Sequence, residues 1–227
     1  MASLQQLTDD VKRWLNRRDI ESDIPAWVRM VETEIAETCR TRAQVTFGVQ
    51  NLDSAYITMP PSFAAMESIR DNTSGALLHL VDEWSGSWND FYEPPYSFYP
   101  QTVPSPPANS YRLVGDCVEF LPHPTPPDPP DPSWVPQQVL MGWYMRPTPG
   151  YAPMLALELP SDTNPILERY YSIYLFGTIL QGAVFEMDDD RVAQIDAKYQ
   201  QAVTRANLHK QQSDYSGAPF RSELVGF

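Results

Sequence analysis

The side chains best suited to proton transfer or metal ligation in this 227-residue chain are its three histidines, His79, His123 and His209. None stands in a metal-binding pair such as H-E-x-x-H. His79 lies in an apolar stretch and is expected to be packed and hydrogen-bonded, His123 sits between prolines, and His209 falls near a helix C-terminus, where positive charge is favoured. The two cysteines, Cys39 and Cys117, have neither metal-ligand spacing nor a disulfide framework, and read as small buried apolar residues. The run Asp188-Asp189-Asp190 lacks the alternating oxygen ligands and central glycine of a calcium loop, and reads as a helix cap. No nucleophile elbow, P-loop or dinucleotide fingerprint is present. Trp84, Trp88, Tyr92, Tyr96 and Tyr99 could form a platform for a sugar or peptide, but interface or loop packing is the commoner use of such residues. The expectation is a protein with no catalytic, cofactor or metal site.

Composition narrows the partners. A formal net charge of -13 argues against a nucleic-acid duplex as the main ligand, because phosphate binding needs a basic stripe. Hydrophobic content of 42% is enough for a packed core. With 23 prolines and 12% aromatics, the loops are long but apolar enough to be ordered and packed. MASLQQLTDD has no signal-peptide core, and Tyr170 to Val184, the longest apolar-rich run, is shorter than a membrane span. A soluble protein made in the cytosol is expected, with no membrane partner.

The elements bracket the chain. Ser3 caps a first helix with Leu4, Leu7, Val11, Trp14 and Leu15 on one face. A second helix is expected near 23–42, with Pro25 in its first turn and Ile24, Trp27, Val28, Val31, Ile35 and Cys39 on one stripe. At the other end, 164–212 reads as two long helices joined by the acidic turn. Asn164 is the N-cap, and Pro165 suits the first helical position, where its missing N–H is no loss. The first of these helices is apolar on nearly every side, as a helix buried on several faces must be.

Between the brackets, Gln44 to Val49, Ala55 to Met59, Phe63 to Arg70 continuing as Ala76 to Val81, Tyr111 to Val114, Cys117 to Leu121 and Val139 to Arg146 read as strands. Glu83 to Tyr92 is ambiguous, with Trp84, Trp88, Phe91 and Tyr92 at helical spacing, and 93–107 and 123–136 are proline-rich loops. The fold class that follows is α+β: a helical bundle of N-terminal and C-terminal helical hairpins with an inserted small antiparallel β domain and an extended C-terminal arm. The expected divisions are 1–42 for the N-terminal hairpin, 43–160 for the inserted β-rich domain, 161–212 for the C-terminal hairpin packing on 1–42, and 213–227 for the arm. On its residues alone the arm reads equally as a frayed terminus or as a docking segment with aromatic anchors.

Several stretches resemble the head-to-tail adaptor, or connector, proteins of tailed bacteriophages, especially short-tailed ones. They are WLNRRDIESDIPAWVRMVETEI, YITMPPSFAAMESI, YRLVGDCVEFLP, and above all LELPSDTNPILERYYSIYLFGTILQGAVFEMDDDRVAQIDAKYQQAVTRAN followed by DYSGAPFRSE. The proline-rich segments 93–107 and 123–136 depart from that pattern. The resemblance implies a non-enzymatic structural virion protein at the head-tail interface. It would form a homo-oligomeric ring, typically dodecameric, under the portal, extend the DNA channel and offer a platform to the tail nozzle and fibres. Viral DNA would pass without specific binding, and the acidic balance would keep a channel wall from holding it. The resemblance also makes 213–227 a docking arm, with Tyr215, Pro219, Phe220, Arg221, Leu224 and Phe227 as contacts to the portal or a neighbouring subunit. The alternatives are another tail-ring or nozzle-associated protein, or a glycan-binding module using the Trp84–Tyr99 aromatics.

Overall fold

The computed structural model describes residues 2–81, 108–122, 135–185 and 189–215. The chain is mixed helix and sheet, and falls into two compact units, Met1–Val45 with Met145–Phe227, and Thr46–Tyr144. Residues 145–160, read from sequence as part of the sheet region, group with the helices.

The first unit is helical. Helix α1 (Leu4–Leu15) starts at Ser3, whose hydroxyl accepts from Gln6 N, and ends at Asn16 in the left-handed region (φ 54°), a position asparagine tolerates. Its buried stripe is Leu4, Leu7, Val11 and Leu15. Trp14, expected on that stripe, lies at its edge and is partly exposed. Helix α2 (Ile24–Thr38) has Pro25 in its first turn and buries Ile24, Trp27, Val28, Val31 and Ile35. It stops before the expected Arg42 because Cys39 turns extended, and Asn207 serves its end: the Asn207 side chain accepts from Arg40 N (2.9 Å) and donates to Thr38 O (3.3 Å).

The expected single helix after Asn164 is broken. A short helix α3 (Pro165–Arg169) ends at Tyr170, whose backbone leaves helical values (φ -129°, ψ 46°), and α4 (Tyr171–Phe185) follows. Helix α4 packs against α1, α2, α3 and the last helix, α5 (Asp189–Tyr215). That is why it is apolar all round: its neighbours cover it on several sides. Close approach is possible because Gly177 faces Val31 and Tyr199, and Gly182 faces Leu15 and Trp27, with no Cβ between. The segment before Asn164 is pinned by local bonds. Thr148 N donates to Met154 O (3.0 Å) and Ala156 N to Thr148 O (3.2 Å), while Leu4 N donates to Asp162 O (3.0 Å), tying the start of α1 to this segment.

The second unit holds two sheets. The strands are β1 (Val45–Leu52), β2 (Tyr56–Thr58), β3 (Phe63–Asp71), β4 (His79–Leu80), β5 (Ser110–Val114), β6 (Cys117–Leu121) and β7 (Gln137–Met145). They pair in the orders β1-β7-β3 and β2-β6-β5-β4. The antiparallel expectation is corrected at one place: β4 pairs parallel with β5, through His79 with Ser110 and Leu80 with Tyr111. The strand expected over 76–81 shrinks to these two residues and a single bridge, Arg70 with Leu77. A turn separates it from β3. The Asp71 carboxylate accepts from Ser74 N, from Gln137 Nε2, from Ser74 Oγ and from Thr73 N, bonds that hold its pKa below the usual range, and Gly75 takes φ +72°. The β5–β6 hairpin matches the sequence reading, with Gly115 at φ +57° in its turn. Its core is apolar, built from Leu52, Ile69, Val118, Phe120, Val139 and Met141.

Candidate functional site

Of the predicted contact residues, Tyr215 is the last residue of α5, so helix runs slightly beyond the expected start of the arm at 213. Pro219, Phe220, Arg221, Leu224 and Phe227 lie outside the described residues. So do the aromatics Trp84, Trp88, Tyr92, Tyr96 and Tyr99, His123, and the loops 93–107 and 123–134. Asp188 and the side chains of Asp189 and Asp190 are likewise outside, and helix is already formed at Asp189.

The described histidines and cysteines are not brought together. His79 is exposed on β4, contrary to the packed position expected, because the two-residue strand lies at the sheet edge. His209 is exposed on α5, its ring 6.4 Å from that of Tyr170. Cys39 is buried, and burial pushes its thiol up to about 11, which makes it a poor nucleophile. Cys117 is half-buried, 3.8 Å from the Thr58 hydroxyl. Among the described residues, no group of three or more His, Cys, Asp or Glu side chains could hold a metal ion, and no helix is long and apolar enough to cross a membrane.

The polar cluster that the fold does assemble centres on Glu32, a residue the sequence reading passed over. Glu32 is 6% exposed. Its Oε1 accepts from Leu157 N (3.0 Å) and from the Tyr174 hydroxyl (3.2 Å). Tyr174 is fully buried and accepts in turn from Asn164 Nδ2 (2.8 Å), which also donates to Leu155 O (3.0 Å). The Asn164 carbonyl oxygen accepts from Ile166 N and Leu167 N, so one side chain both caps α3 and anchors the cluster. Burial raises the Glu32 pKa to about 7, against the lowering pull of its two hydrogen bonds. Burial also raises Tyr174, which therefore stays protonated and donates. Glu32 lines a cleft of about 350 Å³ together with Arg29, Thr33, Arg146, Thr148 and Glu158. The readable signal was a carboxylate on the apolar stripe, between Val31 and Ile35 and four residues after Val28.

Some apolar surface is left at the end of α4. Val184 and Phe185 are exposed at its end, with Phe185 tilted against Trp27 (6.0 Å between ring centroids). Trp14 stands edge-on to Phe176, and the Lys198 ammonium lies 5.3 Å from the Trp14 ring. Tyr171, Tyr174 and Phe176 make contacts within their own unit: Tyr171 donates to Asp10 (2.7 Å) and Phe176 meets Trp14.

The sequence model of the family described as SU10 adaptor protein matches residues 2–223. No curated protein matches the chain.

Proposed function

The chain belongs to the SU10 adaptor protein family, a family of phage head-tail adaptors with a structural, non-enzymatic role in the virion, and from that premise we propose that it forms a ring beneath the portal. The ring, dodecameric in this reading, extends the DNA channel and carries the nozzle and fibre proteins of the tail. The observation that supports this most is the extent of the family match, which takes in residues 2–223 and so both compact units and most of the arm. Within the ring, the helical unit serves as the scaffold and the sheet unit is the part it carries. Residues 213–227 are the docking arm, with Tyr215, Pro219, Phe220, Arg221, Leu224 and Phe227 as its contacts to the portal or to a neighbouring subunit.

The arm gives the sharper test. Full-length protein and a chain ending at Tyr215 are each mixed with the portal and run on a size-exclusion column. The truncated chain should fold as the full chain does, because the helical core ends before the cut: Ala206 on α5 is buried and Leu208 already exposed. It should lose most portal binding, on the order of 100-fold in affinity, since a few clustered anchors carry most of an interface. Equal binding by both chains rules out the arm's role.

A further inference from the structure

The Glu32 cluster lies where the chain returns to the helical unit, and it joins three separate pieces of it. Glu32 comes from α2, Tyr174 from α4, and Leu155, Leu157 and Asn164 from the irregular segment that precedes α3. Every bond in the chain has a consistent direction: Asn164 donates to Tyr174, Tyr174 donates to Glu32, and the Leu157 amide donates to the same Glu32 oxygen. A neutral carboxyl satisfies this pattern with Oε1 as acceptor and the proton on Oε2. An ionised carboxylate would satisfy the same donors but would carry a charge on a side chain that is buried and borders the cleft.

Among the described residues, no close ion pair offsets that charge. The charged and titratable groups around Glu32 are Arg29 on its own helix, Glu158 and Arg146 from the returning segment, and Tyr174 from α4, behind which lies Cys39. Glu158 opposes the ionised form and Arg29 favours it, with Glu158 the larger influence of the two.

We infer that Glu32, Tyr174 and Asn164 form a proton-controlled latch, closed on residues 155–164 when Glu32 is neutral and released toward the cleft when it is charged. This inference stands apart from the adaptor reading and can fail without it. The sign follows from the two states. Closed, Glu32 keeps its proton up to about 7; open and solvated, it loses it near 4.5. The closed state is therefore most favoured below that lower value, loses ground as pH rises between the two, and is level above the upper one. The interval from 4.5 to about 7 limits the change in the opening equilibrium to roughly 300-fold.

The test is amide hydrogen exchange on the full chain across this window, corrected for intrinsic exchange. The Leu157 amide is the probe and the Ile179 amide, inside α4, is the reference. Protection of Leu157 relative to Ile179 should fall by at least about tenfold from the bottom of the window to the top. In Glu32→Gln, which keeps the acceptor and removes the titration, it should stay flat. Flat protection in the native chain, or the same fall in Glu32→Gln, overturns the latch. If Glu32→Gln does not fold, Tyr174→Phe decides. Removing a donor that favours the charged form should move the fall to higher pH, and an unmoved profile overturns the proposal.

Discussion

Each compact unit buries a carboxylate that accepts from a tyrosine, and the two differ in what else surrounds them. In the sheet unit, Glu119 is 2% exposed on the inner strand β6. Its register partners on the two sides are Tyr56 of β2 and Arg112 of β5. The Tyr56 hydroxyl donates to it at 2.8 Å, and the Arg112 guanidinium forms a close ion pair with it. In the helical unit, Glu32 has Tyr174 and a backbone amide, and among the described residues it makes no close ion pair. A paired buried charge is fixed in place, whereas an unpaired one is held by staying neutral. The sheet carboxylate is thus a permanent cross-strand tie, and the helical one depends on pH.

The largest expected effect follows from the pair. Arg112→Ala strands a buried carboxylate and should cost about 3–5 kcal/mol by urea unfolding. At about pH 5, Glu32→Gln should cost less than about 1 kcal/mol, because the neutral carboxyl and the amide offer the same acceptor. Equal losses from the two substitutions would erase the contrast.

A smaller effect separates the units by how far their packing can yield. An added Cβ at Gly177 would lie 2.9 Å from Val31 Cγ1 and 3.1 Å from Tyr199 Cε2, both side chains buried. Gly177→Val should therefore cost about 1–3 kcal/mol. At Gly142 the clash looks worse, 2.6 Å from Phe47 Cε1, but Phe47 is 59% exposed and can swing away. Gly142→Ala should change stability by less than about 1 kcal/mol. A larger loss at Gly142 than at Gly177 would show that the sheet face is the more rigid surface.

The two units were also unequally legible. The stripes of α1 and α2 and the Ser3 cap could be read directly, because helical periodicity repeats over many residues. The β5–β6 hairpin was equally plain, since Gly115-Asp116 stands between two apolar runs. The break at Tyr170 was hidden, because the apolar pattern runs through it unchanged. The grouping of 145–160 with the helices was hidden too. Pro147, Pro149 and Pro153 erase any period, and only long-range contacts reveal where Met154 and Leu157 are buried. The parallel β4–β5 pair rests on two residues, too few for a pattern to announce. For the proposed contact residues, the resemblance to phage head-to-tail adaptors supplied the candidates.

The most direct measurement is therefore a set of electron-microscopy class averages of the purified protein mixed with its portal. The expected result is a ring coaxial with the portal, seated on one of its ends and continuous with its central channel. Portal particles with no added density, beside protein that remains monomeric at every concentration tried, would contradict it.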